Sequence, residues 1–278
     1  VDSLIGTLVA TDPQGAVVTL TLTGNADPDG DGNAAVRLTG DQLFIADEDD
    51  FNFENQFAKK YYQEGADELL YMDAVASLYG RNNLKELITK AVKDVFIPIT
   101  VGGGIRSVED AYNIFRAGAD KVAINTAAVK SPNLIKDLSE EFGSQSIVLS
   151  IEAKKIDENN WEVFVENGRE KTGISVFDWI GKATNLGVGE ILLTSVDHEG
   201  TKKGFDINLL NEATKLTNVP IISSGGMGKL EDFLNVIKKS KVDAVSMASV
   251  LHYNTLNLSS IRSYGLSNNL DLREFNET

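Results

Sequence analysis

An internal repeat constrains the fold of this chain more than any other feature. Pro98–Asp110 aligns with Pro220–Asp232 at an offset of 122 residues, and both segments carry consecutive glycines after a short apolar run. After one inserted residue, Asn125-Thr126 falls on Ala248-Ser249. A fixed offset over several elements is typical of a duplicated supersecondary unit. The sequence therefore predicts two equivalent halves.

Short apolar segments alternate with segments of helical spacing from Phe57 onward. The predicted strands are Leu69–Met72, Ile97–Val101, Val122–Ile124, Ile147–Ile151, Ile191–Leu193, Ile221–Ile222 and Ala244–Met247. The predicted helices include Ser107–Ala117, Pro132–Phe142, Phe177–Leu186, Ile207–Leu216 and Leu230–Lys238. Such alternation indicates a parallel sheet, and two equivalent halves favour an α/β fold of the (βα)8 TIM-type barrel over an open doubly wound sheet.

The first strand of this barrel has no counterpart in the sequence. The offset places the partner of Ile147–Glu152 at residues 25–30, whose sequence NADPDG is typical of a turn. Proline and acidic residues do not fill a buried barrel strand. We predict that the first strand is missing or replaced by a small β-rich N-terminal segment.

Composition separates that segment from the rest of the chain. Residues 1–56 hold 11 acidic residues and one basic residue, and the whole chain has a net charge of −15. Val17–Leu22 has the pattern of a strand, and Val36–Leu38 with Leu43–Ile45 has the pattern of a hairpin. We therefore predict an acidic β-rich segment over residues 1–56 and a barrel domain over residues 57–278.

Composition also excludes several function classes. The negative charge disfavours nucleic-acid binding, and no apolar run is long enough to predict a membrane span. The chain has no cysteine and two histidines, so thiolate and multi-histidine metal sites are not expected. We predict no cofactor and no metal.

Candidate binding residues follow the predicted strands, where barrel enzymes place their active sites. Glycine loops bring backbone N–H groups close to an anion, although they also simply permit tight turns. The predicted substrate and phosphate residues are Gly103, Gly104, Asn125, Thr126, Thr194, Glu199, Gly200, Gly225, Gly226, Ala248 and Ser249. Two equivalent pockets suit a small molecule with a phosphate at each end.

Charged residues mark both ends of the predicted strands. Glu152 ends the fifth strand and is the candidate general acid or base. The alternative interpretation is that Glu152 is a charge at the barrel rim that pairs with a lysine. Glu68, Lys121 and Glu190 each precede an apolar run, so we expect them together at the barrel floor. Such an ion-pair cluster serves stability or gates the barrel axis.

Several motifs resemble the cyclase subunit of imidazole glycerol phosphate synthase, a barrel of histidine biosynthesis. They are GADEL at 65–69, TVGGGIR at 100–106, GADKVAINTAAV at 118–129, GEILLTS at 189–195 and SGGMGK at 224–229. The resemblance covers Phe57 to Phe275. It implies a cytoplasmic enzyme that takes ammonia from a glutaminase subunit docked at the barrel floor. The ammonia would pass a gate at Glu68, Lys121 and Glu190 and react with a bis-phosphorylated ribulosyl aminoimidazole.

The resemblance also implies departures from the family. The family uses two aspartates, but Glu152 stands at the fifth strand and the first-strand acid has no counterpart. One hypothesis is that Leu43–Asp47 inserts as the missing strand, so that Asp47 substitutes for that acid. Residues 1–56 themselves resemble part of a bacterial cadherin-like repeat. A paralogue that delivers ammonia for surface-sugar amidation, and a non-catalytic phosphate-binding or assembly protein, remain alternative interpretations.

Overall fold

The computed structural model describes residues 3–7, 36–39, 42–45, 53–72 and 84–275. The chain divides into two units, residues 1–60 and residues 61–278. Asp47 and the predicted strand Val17–Leu22 lie outside the described residues. In the described ranges, no helix is both long and apolar enough to cross a membrane.

The first unit contains a three-stranded antiparallel sheet. Its strands are β1 (Ser3–Thr7), β2 (Val36–Thr39) and β3 (Gln42–Ile45), in the order β1-β3-β2. Thr39 lies opposite Gln42, which confirms the predicted hairpin. Because β3 pairs along both of its edges within this sheet, the interpretation that Leu43–Asp47 inserts into the barrel is wrong.

Strands and helices alternate through the rest of the chain. The strands are β4 (Leu69–Met72), β5 (Ile99–Gly102), β6 (Lys121–Ile124), β7 (Ile147–Asp157), β8 (Asn160–Val165), β9 (Glu170–Ser175), β10 (Glu190–Ser195), β11 (Ile221–Ser224) and β12 (Ala244–Val245). The helices are α1 (Phe53–Gln63), α2 (Leu84–Ala91), α3 (Val108–Ala117), α4 (Thr126–Lys130), α5 (Asn133–Phe142), α6 (Val176–Asn185), α7 (Ile207–Ala213), α8 (Leu230–Ser240), α9 (Ser249–His252) and α10 (Leu258–Ser267).

Seven of these strands form a curled parallel sheet in the order β4-β5-β6-β7-β10-β11-β12. Successive residues of a strand point to opposite faces. Ala123, Val148 and Leu192 cluster on one face with Ile222 packed against them. Large aliphatic residues on the opposite face are fully buried, as Leu149 is. This is the α/β architecture of a TIM-type barrel, as the sequence predicts.

Hydrogen bonds repeat between the two halves. In each half, the aspartate immediately before β6 or β12 accepts a hydrogen bond from the first residue of the preceding strand. An aspartate in α3 or α8 accepts a hydrogen bond from a residue that follows the glycine loop. The pairs are Ile99 N to Asp120 Oδ2 and Ile221 N to Asp243 Oδ2, both 2.8 Å, then Arg106 N to Asp110 Oδ2 at 2.9 Å and Gly228 N to Asp232 Oδ2 at 3.0 Å. The internal repeat is therefore a structural duplication.

The described residues provide no eighth parallel strand between β4 and β12, the two ends of the sheet. Side chains connect the segments next to these two strands instead. Within the described ranges, β4 and β12 each have a single strand neighbour, and Met72 of β4 is 45% exposed. Arg262 of α10 donates to the Gly65 carbonyl at 2.6 Å and pairs with Asp67 at 3.1 Å. Arg273 also pairs with Asp67, at 2.8 Å. Hydrogen bonds and ion pairs thus attach the C-terminal segment to the loop that precedes β4.

Candidate functional site

The first glycine loop follows β5 and precedes α3. Gly103 and Gly104 have φ angles of 104° and 72°, a region that side chains rarely adopt. Ser107 begins α3, and its Oγ accepts a hydrogen bond from Asp110 N at 3.1 Å. The loop therefore leads into a capped helix N-terminus, an arrangement suited to binding an anion.

The second glycine loop follows β11 and precedes α8. Gly225 and Gly226 have φ angles of 92° and 110°. Gly204 N donates to Gly226 O at 2.8 Å, and a Cβ on Gly226 would collide with the Gly204 carbonyl. Glu199 lies beside this loop, because a Cβ on Gly225 would stand 3.1 Å from Glu199 Oε2.

The remaining predicted binding residues occupy the same carboxyl ends of the strands. Asn125 and Ala248 immediately precede the short helices α4 and α9, so they flank the first and second glycine loops on neighbouring strands. Thr194 lies near the end of β10 opposite Glu152 of β7. The loop after β10 contains Gly200, at a φ of 69°. The two predicted pockets thus share one rim.

Glu152 points to the same rim and is held by two donors. Asn125 Nδ2 donates to Glu152 Oε2 at 3.0 Å, and Gly168 N donates to the same oxygen at 2.8 Å. Burial raises the pKa of Glu152, these two hydrogen bonds lower it, and the charge of Glu166 raises it; the net direction is upward. A half-buried carboxyl with a raised pKa exchanges protons closer to neutral pH than an exposed glutamate does, which suits a general acid or base.

The donor Gly168 lies in a hairpin turn that sequence reasoning missed. Glu166, Asn167 and Gly168 all have positive φ angles, which is rare for the first two residue types. The turn is tied to the first half of the rim, because Glu166 N donates to Thr126 Oγ1 at 3.2 Å. Lys130 also pairs with Glu166, at 3.1 Å. The turn therefore joins the catalytic candidate to the first binding pocket.

The three predicted floor residues meet at the opposite ends of the strands. Lys121 Nζ donates to Glu190 Oε1 at 2.6 Å and also pairs with Glu68 Oε1. Burial alone would lower the pKa of Lys121, but the hydrogen bonds and charges of Glu190 and Glu68 raise it above the ordinary value. Glu190 Oε2 is buried, and no described residue forms a hydrogen bond with it.

Comparison with known proteins identifies the family of this chain. A family model described as histidine biosynthesis protein matches residues 31–257. The chain belongs to this histidine biosynthesis family. The match begins before residue 57, inside the segment that composition assigns to the N-terminal domain.

Three relatives of this chain share one name. A protein of Legionella pneumophila named imidazole glycerol phosphate synthase subunit HisF is 60% identical over 179 residues, which is 64% of this chain and 84% of the relative. A protein of the same name from Natranaerobius thermophilus is 44% identical over 218 residues, 78% of this chain and 86% of the relative. A third protein of this name, from Prochlorococcus marinus, is 46% identical over 222 residues, which is 79% of this chain and 87% of the relative. The resemblance inferred from the motifs is confirmed.

Proposed function

We propose that the chain is the cyclase subunit of imidazole glycerol phosphate synthase. In this role it converts ammonia and a bis-phosphorylated ribulosyl aminoimidazole into imidazole glycerol phosphate and aminoimidazole carboxamide ribotide. The observation that carries the proposal is the position of Glu152, a half-buried carboxyl at the rim that also bears two equivalent glycine loops. The names of the relatives support the same reaction.

The two glycine loops hold the two ends of the substrate. The loop at Gly103 and Gly104, with Asn125 and Thr126, takes one phosphate. The loop at Gly225 and Gly226, with Ala248 and Ser249, takes the other. Duplicated hydrogen bonds behind both loops support equal roles for them. Thr194, Glu199 and Gly200 line the space between the loops.

Glu152 transfers protons at the reacting centre. Asn125 Nδ2 and Gly168 N fix one carboxyl oxygen, Oε2, which leaves Oε1 for the substrate. Burial keeps the pKa of Glu152 above its ordinary value, so the group exchanges protons closer to neutral pH than an exposed glutamate does. The assignment of Asp47 as a second acid rests on the insertion of Leu43–Asp47 into the barrel, which the pairing of β3 with β1 and β2 contradicts, so no catalytic role is proposed for Asp47.

The floor cluster of Glu68, Lys121 and Glu190 is the gate through which ammonia enters the barrel. Lys121 lies between Glu68 and Glu190, and its side chain is mostly withdrawn from solvent. To admit ammonia along the axis, Lys121 must leave one of these partners. A glutaminase subunit docked on the floor supplies the ammonia, and a cytoplasmic location belongs to the same proposal.

Ammonia-dependent turnover of the purified chain tests the proposal. The substrate is the bis-phosphorylated precursor, ammonium salt replaces the partner, and both products are measured by chromatography. We expect turnover in the unsubstituted chain and a loss of about 100-fold or more in Glu152→Gln, because loss of general acid–base catalysis costs about 10²–10⁴-fold. Equal rates in the two proteins would remove Glu152 from the mechanism.

The comparisons give no support to the two alternative interpretations. A paralogue that amidates a surface sugar, or a binding protein without turnover, would retain the phosphate loops but form no imidazole product. Phosphate binding without imidazole glycerol phosphate formation, in a chain that melts cooperatively, would therefore favour those interpretations over the proposed reaction.

A further inference from the structure

The β8–β9 hairpin connects the two halves of the rim. Its turn touches the first half, through Glu166 N on Thr126 Oγ1 and Gly168 N on Glu152. At its base, the Trp161 ring is 2% exposed, and Trp161 Nε1 donates to Asp206 Oδ2 at 2.9 Å. The proposed reaction uses the turn but assigns nothing to this buried indole.

Asp206 joins Trp161 to the segment beside the second glycine loop. The residue is 8% exposed, and its other oxygen, Oδ1, accepts from Leu209 N at 3.1 Å to cap α7. A buried carboxylate is costly unless hydrogen bonds compensate for lost solvation. Because Trp161 supplies the only bond to Oδ2 from described residues, its N–H helps to fix where α7 begins.

Two residues before Asp206, the chain meets the second glycine loop. Gly204 N donates to Gly226 O at 2.8 Å, and the Gly204 carbonyl lies so close that Gly226 has no room for a side chain. His198 Nδ1 holds the same carbonyl at 2.6 Å. The position of Gly226 therefore depends directly on the position of Gly204.

We infer that Trp161 is a positioning residue for the second glycine loop. Its indole N–H holds Asp206, Asp206 sets the segment that begins at Gly204, and Gly204 places Gly226 for a phosphate group of the substrate. This inference deepens the proposed function and rests on it. The first glycine loop lies outside this chain of contacts, so the effect of Trp161 is specific to one pocket.

The chain offers a matched control in its other tryptophan. Trp179 of α6 is also 2% exposed, but its Nε1 is buried and makes no hydrogen bond to any described residue. Trp161→Phe removes a bonded N–H, whereas Trp179→Phe removes an unbonded N–H with the same loss of ring volume. A difference between the two variants therefore reports the Trp161–Asp206 bond.

Titration with inorganic phosphate tests the inference without turnover. Protein labelled with ¹⁵N-glycine reports both loops, through the amide signals of Gly103 and Gly104 and of Gly225 and Gly226. We expect Trp161→Phe to weaken phosphate binding at the second loop about tenfold, the scale of one lost buried hydrogen bond, and to change the first loop by less than about twofold. Trp179→Phe should leave both loops within about twofold of the unsubstituted protein.

A second variant, which alters the other partner of the hydrogen bond, tests the inference even if Trp161→Phe does not fold. Asp206→Asn replaces one acceptor oxygen by a donor, so it should weaken the same loop, and the double variant should lose no more than the worse single variant. In turnover assays, Trp161→Phe should raise KM more than it lowers kcat.

Four results would overturn the inference: equal weakening at both loops, equal effects of the two tryptophan variants, additive losses in the double variant, or no phosphate response at Gly226 in the unsubstituted protein. Absence of turnover together with the expected phosphate titrations would instead defeat the proposed reaction and leave the role of Trp161 standing.

Discussion

Substitution of Lys121 by methionine removes the only cation of the floor cluster among the described residues. The Lys121 side chain is 14% exposed, and the partner side chains of Glu190 and Glu68 are 20% and 36% exposed. Loss of one partner from a fully buried pair costs about 3–5 kcal/mol, whereas exposed pairs contribute about 1 kcal/mol or less. Because this cluster lies between those limits, we expect Lys121→Met to lower the free energy of unfolding by about 2–3 kcal/mol.

Thermal unfolding and urea titration measure this loss. For a unit of this size, each kcal/mol lost from the free energy of unfolding lowers Tm by about 2–4 °C, so we expect Lys121→Met to lower Tm by about 4–12 °C. Lys136→Met is the matched control, because its pair with Glu140 is 3.6 Å long and both side chains are more than half exposed. The control should change stability by less than about 0.5 kcal/mol. Equal effects of the two substitutions would refute the argument from burial.

The pH dependence of the same cluster has a defined sign. The partners raise the pKa of Lys121 in the folded state. The stabilisation is therefore fully present below about pH 10.4, the ordinary lysine value, and is lost as the pH rises through the raised pKa. Glu190→Gln in the Lys121→Met background should recover part of the lost stability, since it removes a buried charge without a partner.

Further predictions concern the rim. Gly226→Ala should abolish phosphate binding at the second loop and lower stability by about 1–3 kcal/mol, because its φ is 110° and Gly204 O occupies the space of the new Cβ. Gly181→Ala in α6 meets nothing within 4 Å and should stabilise by about 0.4–1 kcal/mol, so urea titration of both variants separates the two cases. Glu152→Gln should stabilise the fold at neutral pH. The raised pKa of Glu152 means that its contribution is complete below about pH 4.3 and is lost as the pH rises through the folded-state value. A Tm difference that persists unchanged at acidic pH would contradict this sign.

The sequence predicts the barrel and the floor cluster for clear physical reasons. Parallel strands begin at one edge, so residues that precede three apolar runs, such as Lys121, must meet. The strand Leu69–Met72 is confirmed at both ends, and most other boundaries lie within three residues of the prediction. The strand predicted over Ile147–Ile151 extends six residues further, to Asp157. Helix α7 ends at Ala213 rather than Leu216, in a turn closed by bonds to the Leu210 and Glu212 carbonyls.

The hairpin β8–β9 escaped prediction because its signal is local and weak. Glu162 lies between the buried residues Trp161 and Val163, but Val163–Val165 is a continuous apolar run, so the segment alternates only briefly. It is also short and flanked by polar turns. The contact of Trp161 with Asp206 spans 45 residues and has no local signature. One of the two donors to Glu152, Gly168, belongs to the same hairpin, so the sequence located Glu152 and Asn125 but not this hydrogen bond.

Isotope labelling of the ammonia nitrogen tests whether this chain is a cyclase. The purified chain is given ¹⁵N-ammonium and the bis-phosphorylated precursor, and both products are analysed by mass spectrometry. We predict ¹⁵N in the imidazole glycerol phosphate and none in the carboxamide ribotide, with the signal lost in Glu152→Gln. Cooperative melting with no labelled imidazole product above the level without protein would contradict the assignment of this barrel as a cyclase.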